Sequence, residues 1–319
     1  MNILKQIYQK IKQYNTIIIH GHTRPDGDCY GAQFGLKNII ENAYPQKKVY
    51  VVGETSDFVS FVGTMDVIAD SVYQDALCIV VDTGSAARVS DQRYTMGKYI
   101  IKIDHHLPID QYGHLQWVDP SFPSCAQMIT YFSTKFKNFK ITLPGATAML
   151  TGIITDTGRF KYRGVSKLTF EMAGLLVEKG ADLEYIDSHI NNDTLAMIRY
   201  KGFVYQNFIT TDGGFIYLKV TPDVMKQFDL TRENAASIVN LLSGIEGYPV
   251  WATFLENPDD GEIRVRLRSS GPDIDLLANK YHGGGHKKAC GATLASWQEL
   301  PAFIEDIHTL IKNYKEQGE

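Results

Sequence analysis

Carboxylate and imidazole side chains recur in this sequence at positions that suit a pair of metal ions. They are His22, Asp26, Asp28, Asp82, Asp104, His105, His106 and Asp156. Oxygen and nitrogen donors without a thiolate suit manganese, magnesium, cobalt or zinc, and manganese is the first expectation. Two ions about 3.5–4 Å apart clamp the attacking and leaving oxygens of a phosphoryl group. These residue types therefore predict a two-metal phosphoesterase centre.

The segment from His22 to Asp28, the residue Asp82 and the run Asp104-His105-His106 each follow a short apolar run that is rich in β-branched residues. The runs cover residues 16–20, 77–81 and 99–103 and are typical of buried parallel strands. Ligands bind beyond the carboxyl ends of strands in open α/β sheets, so we expect the groups to meet at one sheet edge. Asp82 follows the second run, where a carboxylate could bridge two ions. Asp156 completes the set after a small-residue helix at 145–155.

Each of these residues also has a simpler interpretation. Aspartate after a strand commonly caps a helix, so any one of them alone would favour capping over metal binding. Three acidic strand ends in one domain favour the metal centre instead. Adjacent residues rarely point the same way, so we assign one of His105 and His106 to a metal and the other to the substrate. Asp104 would orient one of these imidazoles.

The composition excludes several classes of protein. The 319 residues are 44% apolar with a mean hydropathy of -0.18, and no run of 18 apolar residues indicates a membrane span. Residues 1–14 form an amphipathic helix rather than a secretion signal, so we expect a cytoplasmic protein. The four cysteines form no CxxC pair, which argues against a disulfide framework, and we interpret Cys29 as a buried, inert thiol. The net charge of -4 argues against binding to duplex DNA.

The order of predicted elements indicates an α/β protein with two domains. Strands are predicted at 16–20, 49–53, 77–81, 99–103 and 115–119, and helices at 28–42, 124–135, 145–155 and 167–179. This alternation predicts a mainly parallel sheet in a catalytic domain at 1–190. A helical linker at 191–207 leads to a smaller α+β domain at 208–319, with strands at 214–221, 250–256 and 262–269 and a helix at 298–314. We expect the active site in the cleft between the domains.

Two motifs of the second half suit phosphate binding. Arg264, Arg266 and Arg268 alternate with apolar residues, so a strand would place the three guanidinium groups on one face. A solvated edge strand has the same pattern, but arginine also binds phosphate bidentately. The glycine run at 283–285 lets backbone amides approach an anion, and His286 follows it. The proximity of the two motifs in the sequence favours a substrate-binding surface.

The chain resembles the DHH phosphoesterase superfamily, which is named for the run Asp104-His105-His106. The second half is similar to the associated DHHA1 domain through the segment from Gly283 to Gly291. Length, layout and motif order resemble those of the bacterial nano-RNase branch. One departure is Gly31-Ala32, where the family often has Gly-Ser, and it removes a hydroxyl group but no ligand.

The resemblance implies a role for each candidate residue. His22, Asp26 and Asp82 would bind one metal, and Asp28, Asp82, His105 and Asp156 would bind the other, with Asp82 bridging. Asp104 would be the orienting acid, and His106 would face the scissile phosphate. The implied substrate contacts are Arg268, Ser269 and His286, to which the two motifs add Arg266, Gly284 and Gly285.

The activity implied by the resemblance is hydrolysis of very short oligoribonucleotides or linear dinucleotides to mononucleotides, by water activated between two metal ions. Members of this branch also act on 3′-phosphoadenosine 5′-phosphate. The alternatives are a nucleotide 3′-phosphatase, a cyclic dinucleotide phosphodiesterase, an inorganic pyrophosphatase and a non-catalytic nucleotide-binding regulator. The expected partners are small nucleotides, with neither duplex DNA nor a membrane, and the sequence leaves open whether the chain forms a homodimer.

Overall fold

A parallel sheet forms the centre of the first of two units into which the chain divides after Asn192. The computed structural model describes residues 2–108, 110–162, 164–257, 259 and 261–318. The strands of this sheet are β1 (Thr16–His20), β2 (Lys48–Val52), β3 (Leu77–Val81), β4 (Tyr99–Asp104) and β5 (Leu115–Val118). They pair in the order β2-β1-β3-β4-β5, and every pair is parallel. The carboxyl ends of β1, β3 and β4 therefore lie at one edge, as the apolar runs predict.

The helices of the first unit are α1 (Ile3–Gln13), α2 (Gly27–Ala43), α3 (Cys125–Thr134), α4 (Leu143–Asp156), α5 (Lys167–Glu178) and α6 (Leu183–Ile190). One of them, α2, connects β1 to β2, and the others precede β1 or follow β5. Short 3-10 turns occupy much of the segment from 57 to 96. The helices that the sequence predicts after β1 and β5 form within two residues of their expected bounds. The α/β class predicted from the alternation is confirmed.

Strand alternation gives the sheet two different faces. Ile17 and Ile19 of β1 are buried with the apolar side chains of α2, α3 and α4, whereas Ile18 belongs to a separate cluster on the opposite face. A Cβ atom on Gly31 would lie 2.6 Å from the carbonyl oxygen of Ala148, so α2 approaches α4 this closely only with glycine there. This close approach brings the first turn of α2 to the C-terminal half of α4.

The second unit contains a mixed sheet. Its strands are β6 (Ile209–Thr210), β7 (Phe215–Val220), β8 (Val250–Glu256), β9 (Ile263–Ser269), β10 (Gly284–His286) and β11 (Ala289–Leu294). The order is β10-β11-β9-β8-β7-β6, with β7 and β8 parallel and the other pairs antiparallel. The three predicted strands β7, β8 and β9 are confirmed. The sequence did not predict β6, β10 or β11, because they are short or rich in glycine and alanine.

Helices flank this second sheet on both faces. They are α7 (Leu195–Asn207), α8 (Pro222–Gln227), α9 (Arg232–Ser237), α10 (Asp275–Lys280) and α11 (Leu300–Glu316). The helix predicted as a linker is α7, and it packs within the second unit, since Tyr200 and Val204 are buried beside Ile216 and Leu218. Within the part of the chain that the structure describes, none of the helices is both long and apolar enough to cross a membrane.

Candidate metal centre

The loop between β1 and α2 places His22 and Asp26 at the sheet edge. The ring Nδ1 of His22 lies 2.9 Å from the carbonyl oxygen of Thr23, and because a carbonyl only accepts, Nδ1 carries the hydrogen. The other nitrogen, Nε2, lies 3.4 Å from Asp82 Oδ2 and 3.8 Å from Asp26 Oδ1. A backbone carbonyl that holds one ring nitrogen and directs the other toward carboxylates is the usual support of a metal-binding imidazole.

His105 has the same arrangement at the end of β4. Its Nδ1 lies 3.3 Å from the carbonyl oxygen of Phe122, which again makes Nδ1 the donor. Its Nε2 lies 3.3 Å from Asp82 Oδ1, 3.4 Å from Asp156 Oδ2 and 3.6 Å from Asp28 Oδ2. The second imidazole therefore also directs Nε2 into a group of carboxylates.

Asp82 links the two groups, because each of its oxygens faces a different imidazole. Oδ2 faces His22 and Oδ1 faces His105. The residue is 2% exposed, and Oδ1 has no hydrogen-bond partner among the described residues. Its backbone has a left-handed φ of 50°, an uncommon conformation that is concentrated at functional sites. A buried carboxylate oxygen without a hydrogen bond fits a cation as its missing partner.

Asp28 and Asp156 supply carboxylates from two helices that pack together. Asp28 Oδ2 accepts from the amide of Cys125 at 2.6 Å, and Oδ1 accepts from that of Ala126 at 2.8 Å, at the start of α3. Asp156 is the last residue of α4. The close contact of α2 and α4 thus brings together two carboxylates that are 128 positions apart in the sequence (156 − 28).

The charges of this centre are unbalanced without a cation. Burial and the neighbouring charges of Asp82 and Asp156 raise the pKa of Asp28 well above its usual range. Burial, opposed by the charge of His105 and reinforced by that of Asp82, raises the pKa of Asp156 to about 7. Burial lowers the pKa of His105, but the Asp82 carboxylate beside Nε2 and the charge of Asp28 more than offset this and raise the pKa to about 10. Burial thus disfavours so many ionised carboxylates together unless cations lie beside them, so the donor set fits metal ions.

Asp26 is more peripheral than the other carboxylates. Its side chain is 57% exposed. Among the candidate ligands, the described contacts place it beside His22 only. It also caps α2, with Oδ1 accepting from the amides of Asp28 at 3.0 Å and Cys29 at 3.1 Å. The simpler interpretation of this residue as a helix cap is therefore correct, although capping leaves Oδ2 available to a metal.

The adjacent histidines differ in exposure and in partners. The side chain of His105 is 14% exposed and faces the carboxylate group, whereas that of His106 is 42% exposed. His106 Nδ1 lies 2.8 Å from Asp104 Oδ1, and the backbone amide of His106 donates to the same oxygen at 3.2 Å. An ionised carboxylate accepts, so Nδ1 of His106 is the donor and Nε2 is left for another partner. The same Nδ1 lies 3.6 Å from Asp82 Oδ1.

Cys29 lies closer to the metal centre than the sequence indicated. Its sulfur forms a group with His22 and Asp82 in which the donor atoms lie within 4.8 Å of one another. The thiol is buried and lies 3.5 Å from Gln33 Oε1, and burial raises its pKa to about 11. A protonated, buried thiol agrees with an inert residue. Its position directly after Asp28, at the start of α2, is the signal that could have placed it at the site.

The candidate substrate residues of the second unit lie mostly on one face of its sheet. Cross-strand pairing aligns Arg268 with Ala289 and Ala289 with His286. The next row aligns Arg266 with Gly291 and Gly291 with Gly284. A Cβ on Gly291 or Gly284 would have no contact closer than 3.4 Å, so the space between the arginines and β10 is open. The register thus joins the arginine and glycine motifs in one surface.

Ser269 and Gly285 belong to the opposite face. Ser269 is buried, and its hydroxyl donates to the Pro272 carbonyl at 2.6 Å and accepts from the Gly271 amide at 3.0 Å. The structure therefore gives the Ser269 side chain a role in a turn, and the predicted substrate contact has no support in this geometry. Gly285 has a φ of 142°, and a Cβ there would lie 2.5 Å from the Ala289 carbonyl oxygen, so glycine is required for the tight β10–β11 pairing.

Two segments of the chain match known domains. Residues 16–153 match the DHH family, N-terminal domain, and residues 212–313 match the DHHA1 domain. A relative from Bacillus subtilis (strain 168), named bifunctional oligoribonuclease and PAP phosphatase NrnA, is 36% identical over 97% of this chain and 99% of its own. The chain belongs to the DHH family. The resemblance carried by the Asp104-His105-His106 motif is thereby confirmed.

Further proteins match this chain over a similar length. A Streptococcus mutans protein, named probable bifunctional oligoribonuclease and PAP phosphatase NrnA, is 36% identical over 98% of this chain and all of its own. The crystal structure of an exopolyphosphatase-related protein from Bacteroides fragilis superposes with a TM-score of 0.86 at 23% identity, covering 99% of this chain and 97% of that one. At that identity the solved structure supports the fold alone.

Proposed function

We propose that this DHH family protein is a metal-dependent phosphodiesterase that hydrolyses very short oligoribonucleotides and linear dinucleotides to mononucleotides. The observation that carries the proposal is Asp82, whose two buried oxygens face the Nε2 atoms of two different histidines. That geometry suits one carboxylate that bridges two metal ions, which is the arrangement used in phosphoryl transfer. The names of the Bacillus and Streptococcus relatives support the choice of short RNA as substrate.

The proposed ligands follow the two groups around Asp82. His22, Asp26 and Asp82 would hold one ion, and Asp28, Asp82, His105 and Asp156 the other. Manganese is our first choice, because the candidate ligands are hard oxygens and imidazole nitrogens. When bound, such ions supply an activated water and neutralise charge on the phosphoryl oxygens. The protein contributes by holding both imidazoles with backbone carbonyls, so that Nε2 is already directed at the metal positions.

His106 is proposed as the residue that contacts the scissile phosphate. It is more exposed than His105, and Asp104 accepts its Nδ1 hydrogen, which fixes the ring. In its protonated form the other ring nitrogen, Nε2, donates to a non-bridging phosphoryl oxygen and stabilises the charge that develops there. Asp104 acts by orienting this ring and does not touch the substrate.

The second unit is proposed to bind the remainder of the same nucleotide. Arg266 and Arg268 offer guanidinium groups, while Gly284 leaves its backbone accessible and His286 is exposed. Phosphate oxygens are matched by the planar guanidinium group. Gly285 and Ser269 serve this surface by shaping the hairpin and the following turn. The proposed ligands are thus small nucleotides, and neither duplex DNA nor a membrane is proposed.

Time-resolved chromatography of products tests the activity. Purified protein with manganese receives linear diadenylate, a long RNA, 3′-phosphoadenosine 5′-phosphate and cyclic diadenylate in parallel. We expect fast release of AMP from linear diadenylate while the long RNA stays nearly intact. Preparations with metal bound that leave linear diadenylate intact would disprove the proposal.

A second activity, removal of the 3′-phosphate of 3′-phosphoadenosine 5′-phosphate, is favoured by the phosphatase named in both relatives. The same metal ligands would serve it, because a ribose 3′-oxygen leaves the phosphorus in both reactions and only the group that stays on the phosphorus differs. Competition between the two substrates in one reaction decides which is preferred. If one site serves both substrates, each should inhibit hydrolysis of the other with an inhibition constant equal to its own KM.

A further inference from the structure

Lys102 is a fully buried lysine in the centre of β4, directly before the metal centre. Its neighbours Ile101 and Ile103 belong to the apolar core between the sheet and the helices, and alternation turns Lys102 to the opposite face. The residue is 0% exposed. Lysine is almost never fully buried unless it is paired, so its contacts require an explanation.

The ammonium group of Lys102 joins the ends of two strands. It donates to the Gly84 carbonyl oxygen at 2.8 Å, lies 3.4 Å from Asp104 Oδ2, and lies 4.6 Å from the ring centroid of Tyr112. The hydroxyl of Tyr112 in turn donates to the Thr83 carbonyl at 2.6 Å. Lys102 and Tyr112 therefore support the loop that follows β3, and this loop begins with Asp82.

Asp104 divides its two oxygens between Lys102 and His106. Oδ1 accepts both the ring Nδ1 hydrogen and the backbone amide of His106, at 2.8 Å and 3.2 Å. Oδ2 has no hydrogen-bond partner among the described residues, and the Lys102 ammonium is the cation beside it. The side chain of Asp104 is fully buried, so its orientation depends on this cation.

We propose that Lys102 is a positioning residue for phosphoester hydrolysis, an inference that rests on the proposed function. By holding Oδ2 of Asp104, Lys102 directs Oδ1 at His106 and so fixes the ring and its Nδ1-protonated tautomer. By holding the Gly84 carbonyl, the same ammonium supports the backbone of the loop that carries Asp82. Lys102 acts through these groups and does not contact the substrate.

The main test replaces Lys102 by methionine, which is unbranched and of similar length but lacks the ammonium group. Supporting residues of this kind typically contribute 10–100-fold to activity, so we expect Lys102→Met to lower kcat for linear diadenylate by about that factor. KM and the metal content per chain should stay within about twofold of wild type. Wild-type kcat in a folded Lys102→Met variant would overturn the proposal.

Lys98 provides a matched control. It lies just before the same strand and pairs with Asp75, but both side chains are more than half exposed. We expect Lys98→Met to retain kcat within about twofold, since exposed ion pairs contribute little. An equal loss of kcat in Lys98→Met and Lys102→Met would overturn the proposal, because loss of any lysine near β4 would then have the same effect.

Nuclear magnetic resonance of the histidine nitrogens gives a readout that does not depend on activity. In magnesium-loaded protein, with signals assigned by comparison with His106→Gln, wild-type His106 should carry its proton on Nδ1. Lys102→Met should show a mixture of tautomers. If Lys102→Met leaves both the His106 tautomer and kcat unchanged, the proposed role of Lys102 is refuted. If the tautomers change as predicted but the protein hydrolyses none of the substrates, the proposed function alone is refuted.

A second pair of variants covers the case in which Lys102→Met does not fold. Lys102→Gln keeps an amide donor for the Gly84 carbonyl and loses the charge, and we expect the same tautomer mixture with a kcat loss of about tenfold. In an Asp104→Asn background, adding Lys102→Gln should change kcat by less than about threefold, because coupled residues are non-additive. A further loss of tenfold there would show that Lys102 acts independently of Asp104.

Discussion

The metal centre of the first unit and the arginine-bearing face of the second differ in how their polar groups are held. Asp28, Asp82 and Asp104 are buried, and their oxygens meet backbone amides, imidazoles or a buried lysine. Arg266 and His286 are exposed, and glycine rather than bulky side chains lies between them. A reaction centre requires groups fixed in advance, because misplacement by a fraction of an ångström loses rate. A recognition surface gains from open space that a nucleotide can enter.

The largest expected effect is that of Asp82→Asn. Asparagine tolerates the left-handed backbone at this position but offers only one oxygen, so it cannot bridge. Metal ions supply several kcal/mol of transition-state stabilisation, so we expect kcat to fall at least about 1,000-fold. Metal analysis should show at most one ion per chain.

Asp75→Asn is the control for this substitution. Asp75 also has a left-handed φ, of 64°, but its side chain is exposed and pairs with Lys98. Its kcat and metal content should match wild type within about twofold. Two ions per chain and near-normal turnover in Asp82→Asn would refute the bridging role of Asp82. The contrast between a fixed metal centre and an open recognition surface would then lose its main support.

Arg268→Ala should have a smaller effect that is confined to substrate binding. Loss of a hydrogen bond to a charged group costs about 1.5–3 kcal/mol, which corresponds to a rise in KM of about 10- to 100-fold for linear diadenylate. The value of kcat and the metal content should not change. Steady-state kinetics and metal analysis on one preparation measure all three quantities.

Arg264→Ala is the matched control for Arg268→Ala. Arg264 lies on the same face of β9, but it pairs with Glu262 and donates at 2.8 Å to Thr293, which lies beyond the residues of β11 that pair with β10. We expect its KM to stay within about threefold of wild type. If Arg268→Ala lowers kcat instead of raising KM, the separation between a reaction centre and a recognition surface is wrong.

The stability of the metal-free protein should depend on pH through Asp156. Its pKa in the folded protein is about 7, above the ordinary value of 3.8, so the folded state retains a proton that the unfolded chain releases. The contribution of Asp156 to stability is therefore full below about pH 4 and is lost as the pH rises through 7. Because the side chain is partly exposed, we expect a loss of about 1 kcal/mol.

Urea unfolding at pH 4, 5.5 and 7 measures this loss. Asp156→Asn should flatten the dependence, and saturating manganese should reverse it, because a bound cation favours the ionised carboxylate. If the stability of Asp156→Asn depends on pH as strongly as that of wild type, another group causes the effect.

The smallest effect is expected at Cys29. Burial raises the pKa of its thiol to about 11, which favours the protonated form that does not bind a metal. We expect Cys29→Ser to keep kcat and metal content within about threefold of wild type. Cys78→Ser is the control, since Cys78 is buried among apolar residues on the opposite face of the sheet, and it should do the same. If Cys29→Ser loses one metal ion and Cys78→Ser does not, the Cys29 sulfur is a ligand. The expectation that only oxygen and nitrogen atoms bind the metals would then be wrong.

The sequence predicted the first unit better than the second. Strands at 16–20, 77–81 and 99–103 are mostly apolar runs, and their bounds in the structure agree to within one residue. The hairpin of β10 and β11 was not predicted, because glycine and alanine carry little strand signal. The family resemblance implied Ser269 as a substrate contact, and strand alternation places its side chain on the face opposite Arg268, where its hydroxyl bonds within a turn.

By itself, the sequence determined the α/β class, the strand ends that carry acidic residues and the residue types of a two-metal centre. These properties depend on local apolar periodicity and on side-chain chemistry, which are readable along the chain. Only the tertiary structure decided that Asp82 directs one oxygen at each histidine, that Cys29 lies beside them, and that Lys102 supports Asp104. Those relations depend on strand pairing and on the close packing of α2 and α4, which join residues far apart in the sequence.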